Sequence, residues 1–342
     1  MSDPRPQSDL PQTAGRLRIV MAAGALIGIA ILIALVARSG LPEILHDLAT
    51  AGWALLWVIP ARLLSLSLDA AAWKTLLRDK PRATVPWLTW VAAVRDSINN
   101  LLPVARVGGE VAGVRLVMTR GIPGALAAAT VIVEISLTLV IQVAFTLLGL
   151  ALLLYYLRDH TAARVVFVGL LLSLPAVAVF ILLQYRVGLF ELLERGLKAL
   201  TGRSVLSLAG DPGRLDLTVK ELYRRRRPIL FVLLWQCLVM VGTAAELWFA
   251  LWLLGHPITP MAAIMLESLA QALQSASFLV PAGIGVQEGG FVLFGAATGL
   301  TPEVALALSF ARRVRDLGVG LPVLLSWQWV EGRNLSRLLS RT

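Results

Sequence analysis

The sequence has little cysteine, little histidine and few charged residues. With one cysteine, Cys237, no intramolecular disulfide can form. The three histidines, His46, His160 and His256, lie far apart and lack the spacing of metal ligands, so we expect no metal site. No nucleotide-binding glycine loop or nucleophile motif is present, and we expect no cofactor. Only 15% of the residues are charged, against about 25% in soluble proteins, which excludes soluble enzymes and disordered linkers.

Apolar residues dominate the composition instead. They make up 57% of the 342 residues, and the mean hydropathy is +0.77. This composition indicates an integral membrane protein. A net charge of +10 is typical of nucleic-acid binding in a soluble protein. In a membrane protein Lys and Arg concentrate in cytoplasmic segments, so we expect membrane lipids and no nucleic acid as partners.

Long apolar runs separated by basic segments predict six membrane-spanning helices. About 20 residues at 1.5 Å each cross the ~30 Å hydrocarbon core. Residues 185–227 hold ten Lys or Arg against five Asp or Glu, which places this loop in the cytoplasm. We therefore expect an all-α polytopic protein with cytoplasmic tails at 1–16 and 331–342 around one membrane domain at 17–330. The predicted spans are residues 19–37, 53–77, 125–157, 163–184, 228–254 and 302–327.

Two further apolar stretches are interrupted by polar residues, proline and glycine. Residues 85–120 contain Pro103 and a Gly-Gly pair, and residues 258–300 contain Pro281 and further glycines. Backbone groups freed by such residues cannot face lipid, so they must lie against protein or water. We expect each stretch to form a re-entrant hairpin that returns to the side from which it entered. Six full spans then leave both termini in the cytoplasm.

The two predicted hairpins are related by a weak internal repeat. A shift of 178 residues pairs Pro103 with Pro281 and Glu110 with Glu288. Because the hairpins open on opposite sides of the membrane, the repeat would be inverted, as in many secondary transporters. Helix N-termini at the two breaks would present backbone amides that attract anions. The alternative is that both breaks are plain turns between packed helices.

Charged residues inside the predicted spans need partners or a cavity. A charge at the bilayer centre costs about 2.5–3.5 kcal/mol on insertion scales. Arg62 and Asp69 share one helix face and are predicted to lock helices through salt bridges. Arg312 and Asp316 form an i,i+4 pair. The repeat register places Glu134 opposite Arg312, so these two side chains either flank a central cavity or join the same salt-bridge network.

The residues at the two breaks resemble a known family. The pattern N-x-L-x-P from Asn99 to Pro103 precedes Gly-Glu, and P-x-G-x-G-x-x-E runs from Pro281 to Glu288. Both are similar to the flippase-like transmembrane region of lysylphosphatidylglycerol synthases and its stand-alone relatives. The doubled glycine before Glu110 resembles most closely the hopanoid-biosynthesis-associated members of the HpnL type. The resemblance implies a bacterial inner-membrane protein that moves a lipid or a lipid-linked head group between leaflets.

The chain departs from the family pattern at several positions. Many members have an arginine after the glutamate of the span that follows the first break, whereas Ile135 follows Glu134 here. Many also have paired glycines and an arginine before the second glutamate, where this chain has Gly283, Gly285 and Gln287. These departures imply a different head-group preference. The aminoacyl-transferase domain that follows this region in full synthases has no counterpart after the last span, so we expect no enzyme activity.

These observations together predict a lipid translocator with a midplane cavity between two broken helices. Backbone amides, with Arg106, Arg312 and Arg313, would hold an anionic, polar or hopanoid-related head group, and Glu110 and Glu288 would couple transport to protons. An integral lipid-modifying transferase and a non-transporting scaffold that binds lipid-biosynthesis enzymes are the alternatives. The predicted substrate-binding residues are Asn99, Asn100, Pro103, Arg106, Gly108, Gly109, Glu110, Glu134, Pro281, Gly283, Gly285, Glu288, Arg312 and Arg313.

Overall fold

The computed structural model describes residues 30, 33–36, 41–77, 79–102, 108–156, 212–276 and 284–339. These residues are almost entirely helical, and no strand occurs among them. The all-α prediction is therefore confirmed. The tail at 1–16, the span 163–184, and most of the span 19–37 and of the loop 185–227 lie outside the described residues.

The apolar runs of the sequence form a series of helices in chain order. Several begin with proline in their first or second position, where its fixed φ favours the helix and its missing N–H costs nothing; these prolines are Pro86, Pro212, Pro260 and Pro302. A 3-10 helix, Gly52–Trp57, leads from the first helix into the second. The α-helices of the described residues are α1 Leu41–Ala51, α2 Val58–Leu76, α3 Val85–Leu101, α4 Gly108–Met118, α5 Gly124–Tyr156, α6 Pro212–Arg224, α7 Arg226–Leu253, α8 Pro260–Ala276, α9 Val286–Gly295 and α10 Pro302–Leu339.

Three helical segments of the described chain are long and apolar enough to cross a membrane. They are Leu48–Leu76, Gly124–Tyr156 and Arg226–Leu253, and they correspond to three of the predicted spans. The predicted span 302–327 lies within the single 38-residue helix α10, whose middle carries three arginines and an aspartate. The number of six spans stays a prediction.

The helices α2 and α7 are antiparallel and define the two ends of the bundle. Asp69 of α2 contacts Gln236, while Ser65, one turn earlier, lies against Gly242, so the two chains run in opposite directions. At one end of this pair the Arg225 guanidinium binds Asp79 at 3.0 Å. We call this end, where α2 finishes and α7 begins, the basic end.

Both interrupted stretches fold as pairs of packed helices, α3 with α4 and α8 with α9. Gly109 lies against Asn99, and Gly113 lies against Arg95, so α4 runs back along α3. The first pair starts just after the basic end, because α3 follows the short loop that contains Asp79. The second pair starts after the opposite end of α7. The two pairs therefore enter the bundle from opposite ends.

Small residues bring the helices close together. A Cβ built at Gly149 of α5 would overlap the Ser268 side chain of α8, and one at Gly242 of α7 would lie 3.3 Å from Ser65 Oγ. Close approach of this kind is the usual way in which helices associate without water between them. Large apolar side chains such as Leu234 and Leu325 face outward instead, at 52% and 66% exposure, as a lipid-facing surface requires.

Candidate functional site: two helix breaks held by buried ion pairs

The first break is fixed by polar side chains of α3. Asn99 Oδ1 accepts a hydrogen bond from the Gly109 N–H at 3.0 Å, and Asn99 Nδ2 donates to Glu110 Oε1 at 3.3 Å. A Cβ at position 109 would overlap the carbonyl oxygen of Arg95. Glycine is therefore required where α4 begins against α3.

Arg95 connects this break to the long helix α5. Its Nη2 donates to Glu110 Oε2 at 2.5 Å, and its Nη1 donates to both carboxylate oxygens of Glu134 at 3.1 and 3.0 Å. The guanidinium lies over the ring of Trp73, 4.7 Å from its centroid. Trp73 is itself held by a hydrogen bond from its Nε1 to Thr130. One arginine thus binds two glutamates from two different helices.

The second break is fixed by a glutamate that closes the start of α9. Glu288 Oε2 accepts the Gly285 N–H at 2.7 Å, and its Oε1 accepts from Ser309 Oγ and Arg313 Nη2, both at 3.1 Å. Gly285 has a φ of +78°, a conformation that glycine adopts without the strain of a side chain. The turn at Gly285 and the carboxylate of Glu288 therefore set the start of the helix together.

A neighbouring ion pair ties α10 to α8. Arg312 of α10 binds Glu267 of α8, and its guanidinium lies 5.0 Å from the ring centroid of Phe291. Glu267 Oε1 also accepts from Gln271 Nε2 at 2.7 Å. Gln271 in turn donates to Thr243 of α7 at 3.0 Å. The second break thus sits beside a polar chain that reaches across three helices.

A third group of charges joins α2, α3, α7 and α10 between the two breaks. Arg62 Nη2 donates to Asp96 Oδ1 at 2.7 Å, and Asn100 donates to the same oxygen at 2.9 Å. Arg315 binds both Glu246 and Asp316. We call these five charged residues, Arg62, Asp96, Glu246, Arg315 and Asp316, the central cluster.

The structure changes the predicted pairing of the interior charges. Arg312 binds Glu267 rather than its i,i+4 neighbour Asp316, because Asp316 is held by the adjacent Arg315. Glu134 and Arg312 do not face each other, since each has its own partner in its own half of the chain.

Arg62 and Asp69 do join helices, but through other residues. Arg62 binds Asp96 of α3, and Asp69 accepts from Gln236 Nε2 at 3.0 Å. The predicted locking of α2 is therefore carried by contacts to α3 and α7.

The described residues place ten of the predicted site residues at the two breaks, beside them or, for Asn100, against Asp96 of the central cluster. Pro103, Arg106, Pro281 and Gly283 lie outside the described residues. Sequence reasoning missed Arg95, Glu267 and Arg315 as site residues. Arg95 and Asn99 are four residues apart, which puts them on one helix face and was the available signal. Among the residues described, no cluster of three or more potential metal ligands occurs.

A cavity of about 500 Å³ lies at the basic end, away from both breaks. Its walls combine leucines such as Leu76 and Leu222 with charged groups of α6 and of the loop after α2. Arg225 donates to Glu221 and Asp79 there, and these hydrogen bonds hold the pKa of its guanidinium above the usual value. The guanidinium stays charged at this end of the bundle.

Comparison with known proteins gives a family match over most of the chain. No curated protein and no solved structure matches it. The family model described as the lysylphosphatidylglycerol synthase TM region matches residues 21–323, which include both breaks and the three ion-pair groups. This match indicates a membrane protein with a lipid-related function. The chain belongs to the family of the lysylphosphatidylglycerol synthase TM region.

Proposed function

We propose that the protein is a lipid translocator that moves a lipid or a lipid-linked head group between the leaflets of a bacterial inner membrane. The observation that carries this proposal is the pair of broken helices entering the bundle from opposite ends. Secondary transporters place their substrate site where two such elements meet and expose it alternately to the two sides. In this proposal both termini are cytoplasmic, the protein acts without enzymatic chemistry, and its partners are membrane lipids.

The helix boundaries support an inverted repeat. The helices that follow the breaks start at Gly108 and Val286, and the long helices after them start at Gly124 and Pro302. Both pairs of starts are separated by the 178 residues that align Glu110 with Glu288 in the sequence. Two halves with the same order of elements and opposite orientation would give the protein two related conformations, as alternating access requires.

The head group would bind between the two breaks. The amide-bearing starts of α4 and α9 favour an anionic group. Of Arg312 and Arg313, both on α10, Arg313 is the more accessible, with 24% of its side chain exposed against 9% for Arg312. We infer that Arg313, with Arg106, contacts the head group, while Arg312 keeps α8 and α10 together. The same proposal includes a hopanoid-related lipid as the substrate and lipid-biosynthesis enzymes as neighbours of the protein.

Leaflet-resolved lipid movement in proteoliposomes tests this function. Fluorescent glycerophospholipids and a hopanoid extract are supplied in one leaflet, and their appearance in the other is timed. We expect movement that depends on the protein and falls to the protein-free rate in the double variant Glu110→Gln, Glu288→Gln. Asp216→Asn is the matched control, because it neutralises an exposed carboxylate of α6 and should leave the rate unchanged.

The same vesicles separate the alternatives. A chemically modified lipid product would indicate a transferase in place of a translocator. If a folded protein moved no lipid, the proposal would be overturned and a scaffold favoured. A scaffold predicts that charge-neutralising substitutions at the breaks are harmless.

A further inference from the structure

Among the residues that the structure describes, four of the five glutamates inside the bundle have donors for both carboxylate oxygens. Glu134 and Glu110 receive them from Arg95 and, for Glu110, also from Asn99. Glu267 receives them from Arg312 and Gln271. Glu288 receives them from Gly285, Ser309 and Arg313. Each of these four carboxyl groups therefore has both of its oxygens satisfied by hydrogen-bond donors of the protein.

Glu246 of α7 differs from the other four. Its Oε1 accepts from Arg315 Nη1, but its Oε2 is buried and has no hydrogen-bond partner among the described residues. Only 3% of Glu246 is exposed, so water does not satisfy this oxygen. A bare, charged oxygen in a buried site is costly, because it has lost its hydration without gaining a donor.

The charged residues around Glu246 also carry an excess of negative charge. The central cluster contains three carboxylates, from Asp96, Glu246 and Asp316, against the two guanidiniums of Arg62 and Arg315. Arg62 lies close enough to Glu246 and Asp316 to interact with both. One additional positive charge brings this cluster to neutrality.

The other helices packed on α7 do not supply that charge. The acid of α8 is Glu267, which is bound by Arg312, and the acid of α5 is Glu134, which is bound by Arg95; neither helix contains Lys or Arg. Asp69 of α2 is bound by Gln236. The 3-10 helix Gly52–Trp57 has no ionisable residue. The ionisable residues of α6 lie at the basic end, whereas Glu246 is seven residues, or about 10 Å of helix, from the opposite end of α7.

We propose that Glu246 Oε2 is a proton-binding site of the bundle. A proton supplies the missing positive charge, and it is the occupant that fits an oxygen enclosed on all sides. With the proton bound, Arg315 has one charged partner, Asp316. Without it, Arg315 holds Glu246 of α7 and Asp316 of α10 together. Proton binding therefore changes how strongly α7 is tied to α10.

For its role in transport this proposal rests on the proposed function. The helix α10 carries Arg312 and Arg313 beside the second break, on the turn that precedes Arg315. A change in the Arg315 contacts is thus transmitted to Arg313, which we assign to the head group, and to Arg312, which keeps α8 and α10 together. Glu246, rather than Glu110 or Glu288, then couples lipid movement to the proton gradient.

Infrared difference spectroscopy of the purified protein tests the site without any transport assay. A protonated carboxylic acid has a C=O stretch well separated from the carboxylate bands. We expect this band in the wild type, its loss in Glu246→Gln, and its retention in Glu267→Gln, which neutralises a buried, arginine-bound glutamate whose oxygens both have donors. If Glu246→Gln does not fold, Glu246→Asp should keep the band at a shifted position.

The outcomes distinguish this site from the proposed function. A band that persists unchanged in Glu246→Gln, or a folded wild type with no band at any pH, overturns the proton site. A band that appears in choline buffer and disappears in sodium buffer assigns Oε2 to a metal cation and also overturns it. A band with the expected mutational pattern in a protein that moves no lipid supports the proton site and removes translocation instead.

Discussion

The two broken-helix pairs carry a glutamate at the same place but neutralise it in different ways. In the first half, one arginine on α3, Arg95, serves both Glu110 and Glu134. In the second half, two arginines on α10 serve one glutamate each, Arg312 with Glu267 and Arg313 with Glu288. In the first half the arginine thus lies on α3, before the break. In the second half the arginines lie on α10, the helix that follows α9.

The two halves therefore differ in how strongly their glutamates depend on one arginine. Removing Arg95 leaves two buried carboxylates without a cation. Removing Arg313 leaves Glu288 with the Gly285 N–H and the Ser309 hydroxyl. We therefore expect the first half to depend on one arginine and the second half to tolerate the loss or movement of Arg313. If the protein is the translocator proposed above, the second half is the better place for a site that releases its head group.

The largest expected effect is the loss of Arg95. Arg95→Met removes the charge but keeps much of the volume, and we expect it to destabilise the protein by about 3–5 kcal/mol because both glutamates stay buried. Thermal unfolding in detergent, followed by size-exclusion chromatography, measures the change. Arg313→Met is the matched variant, with an expected loss of about 1–3 kcal/mol. Equal losses for the two variants would remove the asymmetry between the halves.

A smaller effect is expected from a methyl group at the first break. Gly109→Ala places a Cβ against the Arg95 carbonyl and 2.7 Å from Asn99 Oδ1, so α4 must move away from α3. Overpacking of this kind costs about 1–3 kcal/mol. Gly289→Ala in α9 meets open space and should raise stability by about 0.4–1 kcal/mol through the unfolded chain.

The same thermal assay measures both glycine variants. If Gly109→Ala left the thermal stability unchanged, the close contact between α3 and α4 would not be required for the break.

The spans that apolar length defines could be predicted from the sequence nearly to the residue. The predicted spans 125–157 and 228–254 compare with Gly124–Tyr156 and Arg226–Leu253, since these helices follow the long apolar runs of the sequence. The last span was predicted at 302–327, and the helix that contains it continues to Leu339. Hydropathy reports where a helix leaves the membrane, whereas the polar residues after Trp327 are compatible with continued helix.

The partners of the interior charges could not be predicted in the same way. Charge and spacing identified Glu110, Glu134, Glu288 and Arg312 as important residues of the interior. Their pairing depends on which helix faces which, and that is decided by packing over long separations: Arg95 lies 39 residues from Glu134. The i,i+4 rule favoured Arg312 with Asp316, and it failed because Arg312 makes a buried tertiary contact to Glu267 while Asp316 binds the adjacent Arg315.

The smallest expected effect comes from removing one uncharged hydrogen-bonding side chain at each break. Ser309→Ala removes one of three donors to Glu288, and the remaining Gly285 N–H and Arg313 still bind both of its oxygens. We expect a loss of about 0.5–1.5 kcal/mol, the usual net value of one hydrogen bond. Asn99→Ala removes both the acceptor of the Gly109 N–H and a donor to Glu110, and should cost more, about 1–3 kcal/mol. If Ser309→Ala were the more damaging of the two in thermal unfolding, the second break would depend on its neutral donor more than on its arginine, and the contrast between the halves would reverse.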